Sequence, residues 1–319
     1  MPDTITPNLM YATAPNFGVF KSTDGGITWS SANTGLNNLQ VSALAVDRNG
    51  VVLAATTNAS DGFVAKVNPT GSALTYLTYI GGDEADTVNA IAVDKDSNAV
   101  ISGVTSSLNF PTSNPFQAAN GGGSDAFIAK LNAAGSGLSW STYLGGSGVD
   151  NSLDLALDST GRIYITGITT SINFPTLNPL QTTNRGQNEI FLSRLKADGS
   201  GLESSTYLGG TRNDSATSMV LGKDGNVFLT GSRDSSDFPL VAPYQGTLGF
   251  AGFTATDAFV VKLNPTVSEI LYSTYLGGEG ADTGYGIAVD AAGIPSVTGI
   301  TSSNTFPLSN SIQPYKGSG

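Results

Sequence analysis

Cysteine and histidine are both absent from this chain of 319 residues. Without cysteine there is no disulfide framework and no thiolate metal site. Without histidine, Ser-His-Asp and Cys-His catalysis, imidazole zinc centres and the commonest general base near neutral pH are excluded. Charge is scarce, at 12% of residues against about a quarter in an average domain. What charge there is leans acidic, with a formal net charge of −11 and only 14 Lys and Arg. Binding a phosphate backbone needs clustered cations, so nucleic acid is not an expected partner. No apolar run reaches the length of a membrane span, so membrane insertion is not expected, and the opening Met1-Pro2-Asp3-Thr4 has no basic n-region leading into an apolar stretch. Long helical periodicity is also missing.

What the chain has in excess is glycine, 40 residues of it, beside 39% hydrophobic residues that recur at strand spacing. That profile is all-β and turn-rich. The block Thr-Tyr-Leu-Gly, or its near copy, recurs with its tyrosine at Tyr79, Tyr143, Tyr207 and Tyr275, at spacings of 64, 64 and 68 residues. A fixed period of this kind is the signature of a repeat array. One full unit runs through four short apolar segments at 89–94, 99–105, 125–131 and 138–144, separated by Gly, Asn and Asp turns. Each unit is therefore expected to be a four-stranded antiparallel meander, strands A to D. A meander of this size cannot bury both faces alone, so copies must stack.

A-B hairpins are expected at 41–57, 88–105, 152–169, 216–233 and 284–301, and C-D hairpins at 17–32, 62–79, 125–144, 188–208 and 257–276. The expectation is a single β-propeller domain over 1–319, with complete blades at 41–80, 88–144, 152–208 and 216–276. Residues 8–40 and the partial blade 284–319 would share the closing fifth blade, which leaves only short protected edges. The surplus segment Asn8-Leu9-Met10-Tyr11-Ala12-Thr13 either replaces the strand at 294–301 in the closing blade or belongs to a sixth, incomplete blade, which keeps six blades open as the alternative. The chain stops at Tyr315-Lys316-Gly317-Ser318-Gly319, where earlier repeats begin a strand, which suggests a piece of a longer protein.

Two resemblances follow from these residues. Ser22-Thr23-Asp24-Gly25-Gly26-Ile27-Thr28-Trp29 matches the Asp-box (BNR) pattern of sialidase-like and sortilin-like propellers at its defined positions Ser22, Asp24, Gly26, Thr28 and Trp29. From about Val41 onward, the Ser-Thr-Tyr-Leu-Gly-Gly, Ile-Ala-Val-Asp, Tyr-Ile-Thr-Gly and Asn-Phe-Pro blocks resemble the bacterial SBBP-type β-propeller repeats. The first resemblance implies a structural turn in which Asp24 accepts backbone hydrogen bonds and Trp29 packs between blades. Sialidase activity would require an arginine triad, whereas Arg48, Arg162, Arg185, Arg194, Arg212 and Arg233 fall at unrelated blade positions. The second resemblance implies a secreted or cell-surface bacterial location and brings no catalytic residues.

Three sets of repeated side chains are candidate sites. The Gly-Gly-x-x-x-Asp of the D-A loop places Asp86, Asp150, Asp214 and Asp282 at one equivalent position, where they either cap their own turns or hold Ca²⁺. Asp47, Asp94, Asp158 and Asp290 end strand A in the same way, with Gly222 in the fourth unit, a gap that a turn tolerates. The B-C excursion carries Phe110, Phe174, Phe238 and Phe306, each before a proline, and Gln117, Gln181, Gln245 and Gln313 seven residues later. These serve either to dock the loop or to recognise a sugar or peptide at the rim shared by the B-C and D-A loops. Strand C carries Lys21, Lys66, Lys130, Arg194 and Lys262, with Asp61, Asp125, Glu189 and Asp257 five residues before the last four. An odd separation puts acid and base on opposite strand faces, so they are expected to pair between blades.

The leading functional expectation is a noncatalytic module at an extracellular surface that recognises a glycan or protein or acts as a spacer. The alternative is a hydrolase or lyase working at the channel mouth with a carboxylate pair, with or without Ca²⁺, for which Glu84 and Glu279 are the nearest nonrepeating acids. Oligomeric state is open.

Overall fold

The computed structural model describes residues 9–14, 17–33, 41–46, 52–56, 61–249 and 255–313. Asn8, Asp47, Arg48 and the Tyr315–Gly319 ending lie outside them. Among the described residues every regular element is a strand. A three-stranded sheet comes first, formed by β1 (Met10–Ala14), β2 (Gly18–Ser22) and β3 (Ser30–Ser31). Next are two four-stranded sheets in meander order: β4 (Val41–Val46), β5 (Val52–Thr56), β6 (Gly62–Val67) and β7 (Leu74–Ile80), then β8 (Asp86–Val93), β9 (Ala99–Thr105), β10 (Asp125–Leu131) and β11 (Leu138–Leu144). The third repeat gives β12 (Asp150–Leu157), β13 (Ile163–Thr169), β14 (Glu189–Leu195) and β15 (Leu202–Leu208). The fourth gives β16 (Asp214–Leu221), β17 (Val227–Arg233), β18 (Asp257–Leu263) and β19 (Ile270–Leu276). The last pair is β20 (Asp282–Val289) and β21 (Pro295–Thr301).

The expected strands A to D of each complete unit are thus present and antiparallel, with six sheets among the described residues. Met10 to Ala14 pairs with β2, so the surplus strand belongs to the Asp-box sheet. By contacts the chain divides into two compact units. One comprises Met1–Ile165, Asn173–Pro175 and Leu195–Gly201, and the other Thr166–Ile172, Thr176–Arg194 and Leu202–Gly319.

Both faces of the inner strands are buried, as in β9 and β10, because β4, β8 and β12 pack face to face within the first unit. Their apolar residues therefore form nearly continuous runs. Phe127, Ile101, Val88, Val64 and Leu131 form the core there, each large side chain contributing about 1.5–3 kcal/mol on burial. In the second unit β17 and β20 pack similarly.

Turns lock the stacking. Asn132 accepts the Gly135 amide on its carbonyl oxygen and the Ser136 amide on Oδ1. Gly135, at φ 68°, lies flat on the Tyr76 ring of the preceding sheet, where a Cβ would stand 2.4 Å from the ring. Gly199 meets the Trp140 ring in the same way. The fourth sheet has Val267 at this turn position, at φ 58° and buried, and its place in the series opposite the turn is held by the small Ser204.

The basic residues of strand C depart from expectation. Lys130 pairs with Asp94 at 2.7 Å and Arg194 with Glu203 at 2.8 Å, both within their own sheet. What crosses to the next sheet is a hydrogen bond from the cation to a turn carbonyl: Lys21 to Pro69, Lys66 to Ala133 and Arg194 to Pro265. Of the acids five residues earlier, Asp125, Glu189 and Asp257 start strand C at the far end of the sheet and Asp61 immediately precedes it.

Candidate functional site

The register of the second sheet puts Asp86, Thr105 and Asp125 in one row at the sheet end where A and C begin. Asp86, Asp150, Asp214 and Asp282 are therefore the first residues of their strands rather than loop residues, and all four are fully buried. Their Oδ2 atoms accept the backbone amides of Gly82, Gly146, Gly210 and Gly278 at 2.7–2.8 Å. Ser107, Ser235 and Ser303 donate their hydroxyls to three of them. The capping reading is realised at every copy. For Ca²⁺, which takes six to eight oxygens, this environment is poor: among the described residues no three acidic side chains gather.

These acids do meet a second one across the seam. Gly145 sits where a Cβ would stand 2.6 Å from Asp125 Oδ1 and 2.8 Å from Asp150 Oδ2, and Gly209 and Gly277 repeat this with Glu189/Asp214 and Asp257/Asp282. Burial, with Asp150 adding repulsion and the Gly121 amide and Gln117 opposing, pushes the Asp125 carboxyl up to about 6. Burial likewise raises Asp214 to about 6, with Glu189 adding to the rise, against the Gly210 amide, Ser235 and Arg233. A carboxyl raised in the folded state contributes stability that is complete below its unfolded pKa near 4 and is lost as pH rises through about 6. Tm is therefore expected to fall between pH 4 and pH 7. Asp125→Asn should flatten part of that fall in scanning fluorimetry across pH 4–8; an unchanged profile would refute the assignment.

The glutamines expected at the rim turn inward. Gln117 Nε2 donates to Asp125 Oδ2 and to the Ala119 carbonyl, while its Oε1 accepts the Gly145 amide. Gln181 and Gln245 repeat all three bonds with Glu189, Thr183 and Gly209, and with Asp257, Thr247 and Gly277. Phe110, Phe174 and Phe238 are 3–4% exposed, and Phe110 packs 4.4 Å from Phe127 and edge-on to Tyr143. The ligand-binding expectation for these six residues thus gives way to loop docking. Gln313 is exposed, and Phe306 is half-buried, lining a pocket of about 190 Å³ with Leu276, Val297 and Ile300.

The other candidates resolve similarly. Asp24 accepts the Thr28 amide and hydroxyl and the Ser22 hydroxyl, which hold its carboxyl down at about 2, Thr28 acting most strongly. Gly26 donates to Ser22 Oγ. Trp29 is 41% exposed and donates to the Gly26 carbonyl, so it folds over its own turn instead of packing between sheets. Asp94, Asp158 and Asp290 each accept two turn amides on Oδ1. Glu279 accepts the Asn304 and Thr305 amides and the Thr305 hydroxyl, the last being the main cause of a pKa of about 2. Glu84 is exposed, and its amide donates to Ser107 Oγ. A proton donor for glycoside cleavage is poorly served by Glu279, whose proton is already lost well below neutral pH.

Two features escaped the sequence reading. A polar pocket of about 420 Å³ lies at the opposite, A-B turn end of the first unit, lined by Asp94, Lys95, Asp96, Lys130, Asp158 and Thr160. Tyr79 is 72% exposed although Tyr143, Tyr207 and Tyr275 are 1% exposed. In those three the B-C excursion lies over the tyrosine: Tyr143 and Tyr207 donate their hydroxyls to the Ser107 and Ser171 carbonyls. The first repeat has only residues 57–61 between β5 and β6, with no Phe-Pro block, and that missing block was the available signal. A pocket of about 200 Å³ opens beside Tyr79, lined also by Thr78, Ile80, Pro111 and Gly135 to Leu138.

Comparison with known proteins agrees with this architecture. A 110-residue stretch is 30% identical to an uncharacterised WD repeat-containing protein of Acanthamoeba polyphaga mimivirus, covering 33% of this chain and 8% of that protein. The chain thus spans a small fraction of that relative. Among solved structures, YCF48 bound to D1 peptide superposes with a TM-score of 0.52 at 10% identity, covering 94% of this chain and 77% of that one. The extracellular domain of a putative hybrid two-component system of B. thetaiotaomicron gives 0.51 at 14% identity, covering 97% and 32%. Such low identity speaks for the fold alone. The SBBP beta-propeller repeat model matches residues 75–111 and 139–175, each match running from strand D through the following A-B hairpin to the Phe-Pro block, so these two segments are similar to that repeat.

Proposed function

We propose that this chain is a noncatalytic recognition module of an extracellular or bacterial cell-surface protein, binding a glycan or protein partner through Tyr79. Its fold on this reading is a five-bladed propeller whose closing blade is shared by the two ends of the chain. The observation that carries the reading is the contrast at one repeated position: three tyrosines are buried under their own loops, and the fourth stands bare beside a pocket. An exposed tyrosine offers an apolar face and a polar tip, the chemistry that recognition surfaces concentrate. The repeated acids and amides, by contrast, are occupied inside the fold. The larger A-B turn pocket presents charged and small side chains with no ring to stack on.

An array of glycans and immobilised extracellular proteins is expected to give hits that Tyr79→Ala weakens at least about 30-fold while Tm is unchanged. Hits indifferent to Tyr79→Ala would remove the tyrosine from the site. Release of reducing sugar from a polysaccharide panel would overturn the noncatalytic assignment.

A further inference from the structure

The outer strand of each complete sheet is strand D, and in the later repeats its free edge is covered by the chain itself. Ser113 forms a two-way bridge with Ser141 on β11, the Ser141 amide donating to the Ser113 carbonyl at 2.8 Å and the Ser113 amide to the Ser141 carbonyl at 3.2 Å. Two residues on, the Tyr143 amide donates to the Gln117 carbonyl, and the Gln117 amide donates to Thr142 Oγ1. Ser141 Oγ donates to the Pro111 carbonyl, and the Phe110 amide donates to the Tyr143 hydroxyl. The same seating recurs with Leu177 and Gln181 on β15 and with Val241 and Gln245 on β19.

In the first complete sheet β7 is the terminal strand, and among the described residues no segment pairs with its outer edge. Most of the receiving groups are nevertheless in place, although Leu77 lacks the hydroxyl by which Ser141 holds the Pro111 carbonyl. Leu77, Thr78 and Tyr79 occupy the positions of Ser141, Thr142 and Tyr143, opposite Ala65, Val64 and Phe63 in the ladder. Thr78 Oγ1 donates to the Tyr79 carbonyl as Thr142 Oγ1 does to that of Tyr143. Asp61 stands where Asp125 holds Gln117, beside Gly81 at the position of Gly145. An open strand edge pairs readily with an extended chain, and strand addition is a recurrent mode of peptide recognition in which main-chain bonds give affinity and side-chain pockets give specificity.

We propose that the open edge of β7 accepts an extended segment of a partner protein with a Phe-Pro step followed by a glutamine, docked as the chain's own excursions dock on β11, β15 and β19. The segment's main chain pairs with Leu77 and Tyr79, its amide N–H before the proline meets the Tyr79 hydroxyl, and its glutamine bridges Asp61 and the Gly81 amide. This rests on Tyr79 as the recognition residue and names what Tyr79 recognises.

The probe is a synthetic peptide of residues 107–120, the second repeat's own excursion, added to the full chain. Calorimetry is expected to give one site with a Kd of about 10–100 μM, and hydrogen exchange is expected to slow at the Leu77 and Tyr79 amides. Tyr79→Ala should weaken binding at least tenfold, as should Gln117→Ala made in the peptide alone, a change that leaves the protein's folding untouched. No binding at millimolar peptide, binding without protection of those two amides, or equal affinity for the Gln117→Ala peptide would overturn the proposal. So would a β7 edge protected beforehand in a dimer. Array hits that depend on Tyr79 would survive such a failure, which separates this inference from the broader reading.

Discussion

Arg233→Ala is expected to cost about 3–5 kcal/mol, the range for removing one partner from a buried charge cluster and a large share of the roughly 5–15 kcal/mol that holds a domain together. Arg233 ends β17 in register with Asp214 on one side and Asp257 on the other. It is 1% exposed, and its guanidinium carbon lies 3.4 Å from the centroid of the Tyr275 ring and 5.5 Å from that of Phe238. Among the described residues its guanidinium nitrogens have no hydrogen-bond partner, so its contribution there is charge and stacking. Burial lowers its pKa while Tyr275, Asp214 and Asp257 oppose that shift. Alanine would leave two buried acids without their cation and a void under two rings. Arg233→Thr should cost less, because Thr105, Thr169 and Thr301 at the equivalent positions accept the amide two residues on. Urea denaturation of the two variants tests this order. Equal costs would mean that the void, and not the missing polar partner, sets the penalty.

Gly103→Ala is expected to cost at least about 3 kcal/mol, the upper end for inserting volume into a packed interior. Gly103 lies opposite Val88 at the bulge between Val88 and Ala90. A Cβ there would stand 1.8 Å from the Thr87 carbonyl oxygen and 3.0 Å from the Phe127 ring. Backbone cannot rotate away as a side chain can, so the bulge itself would have to open. A Cβ on Gly231 or Gly299 would stand 1.9 or 2.0 Å from the Ser215 or Thr283 carbonyl oxygen. Gly137→Ala is the control, because its nearest neighbour would be Asn132 Nδ2 at 3.7 Å, and it should stay within about 0.5 kcal/mol of the parent. Denaturant midpoints within that margin for Gly103→Ala would show that the bulge is soft.

The legible part of the fold was local. Short apolar runs such as Asp125-Ala126-Phe127-Ile128-Ala129-Lys130-Leu131, bounded by Asn and Gly turns, mark strands wherever they stand. The turn roles of Asp94, Asp158 and Asp290 were readable for the same reason, since an aspartate caps the amides of its own next residues. Strand A starts ahead of its apolar run, at Asp86 and its equivalents, which look like loop residues until the groups that satisfy them, such as the Ser107 hydroxyl and Gly82 amide at Asp86, are seen.

The sequence by itself determined the repeat, its four strands and the chemistry available: no thiol, no imidazole, few charges. Only the tertiary structure decided which repeated side chains stay exposed, because that depends on what covers them. Gln117 and Phe110 read equally well as rim or anchor, and it is Asp125, Gly145 and Tyr143, distant in sequence, that draw them inward. Tyr79, in the near-copy Leu77-Thr78-Tyr79-Ile80 of the block that holds three buried tyrosines, is exposed because the segment that would bury it is missing from its repeat.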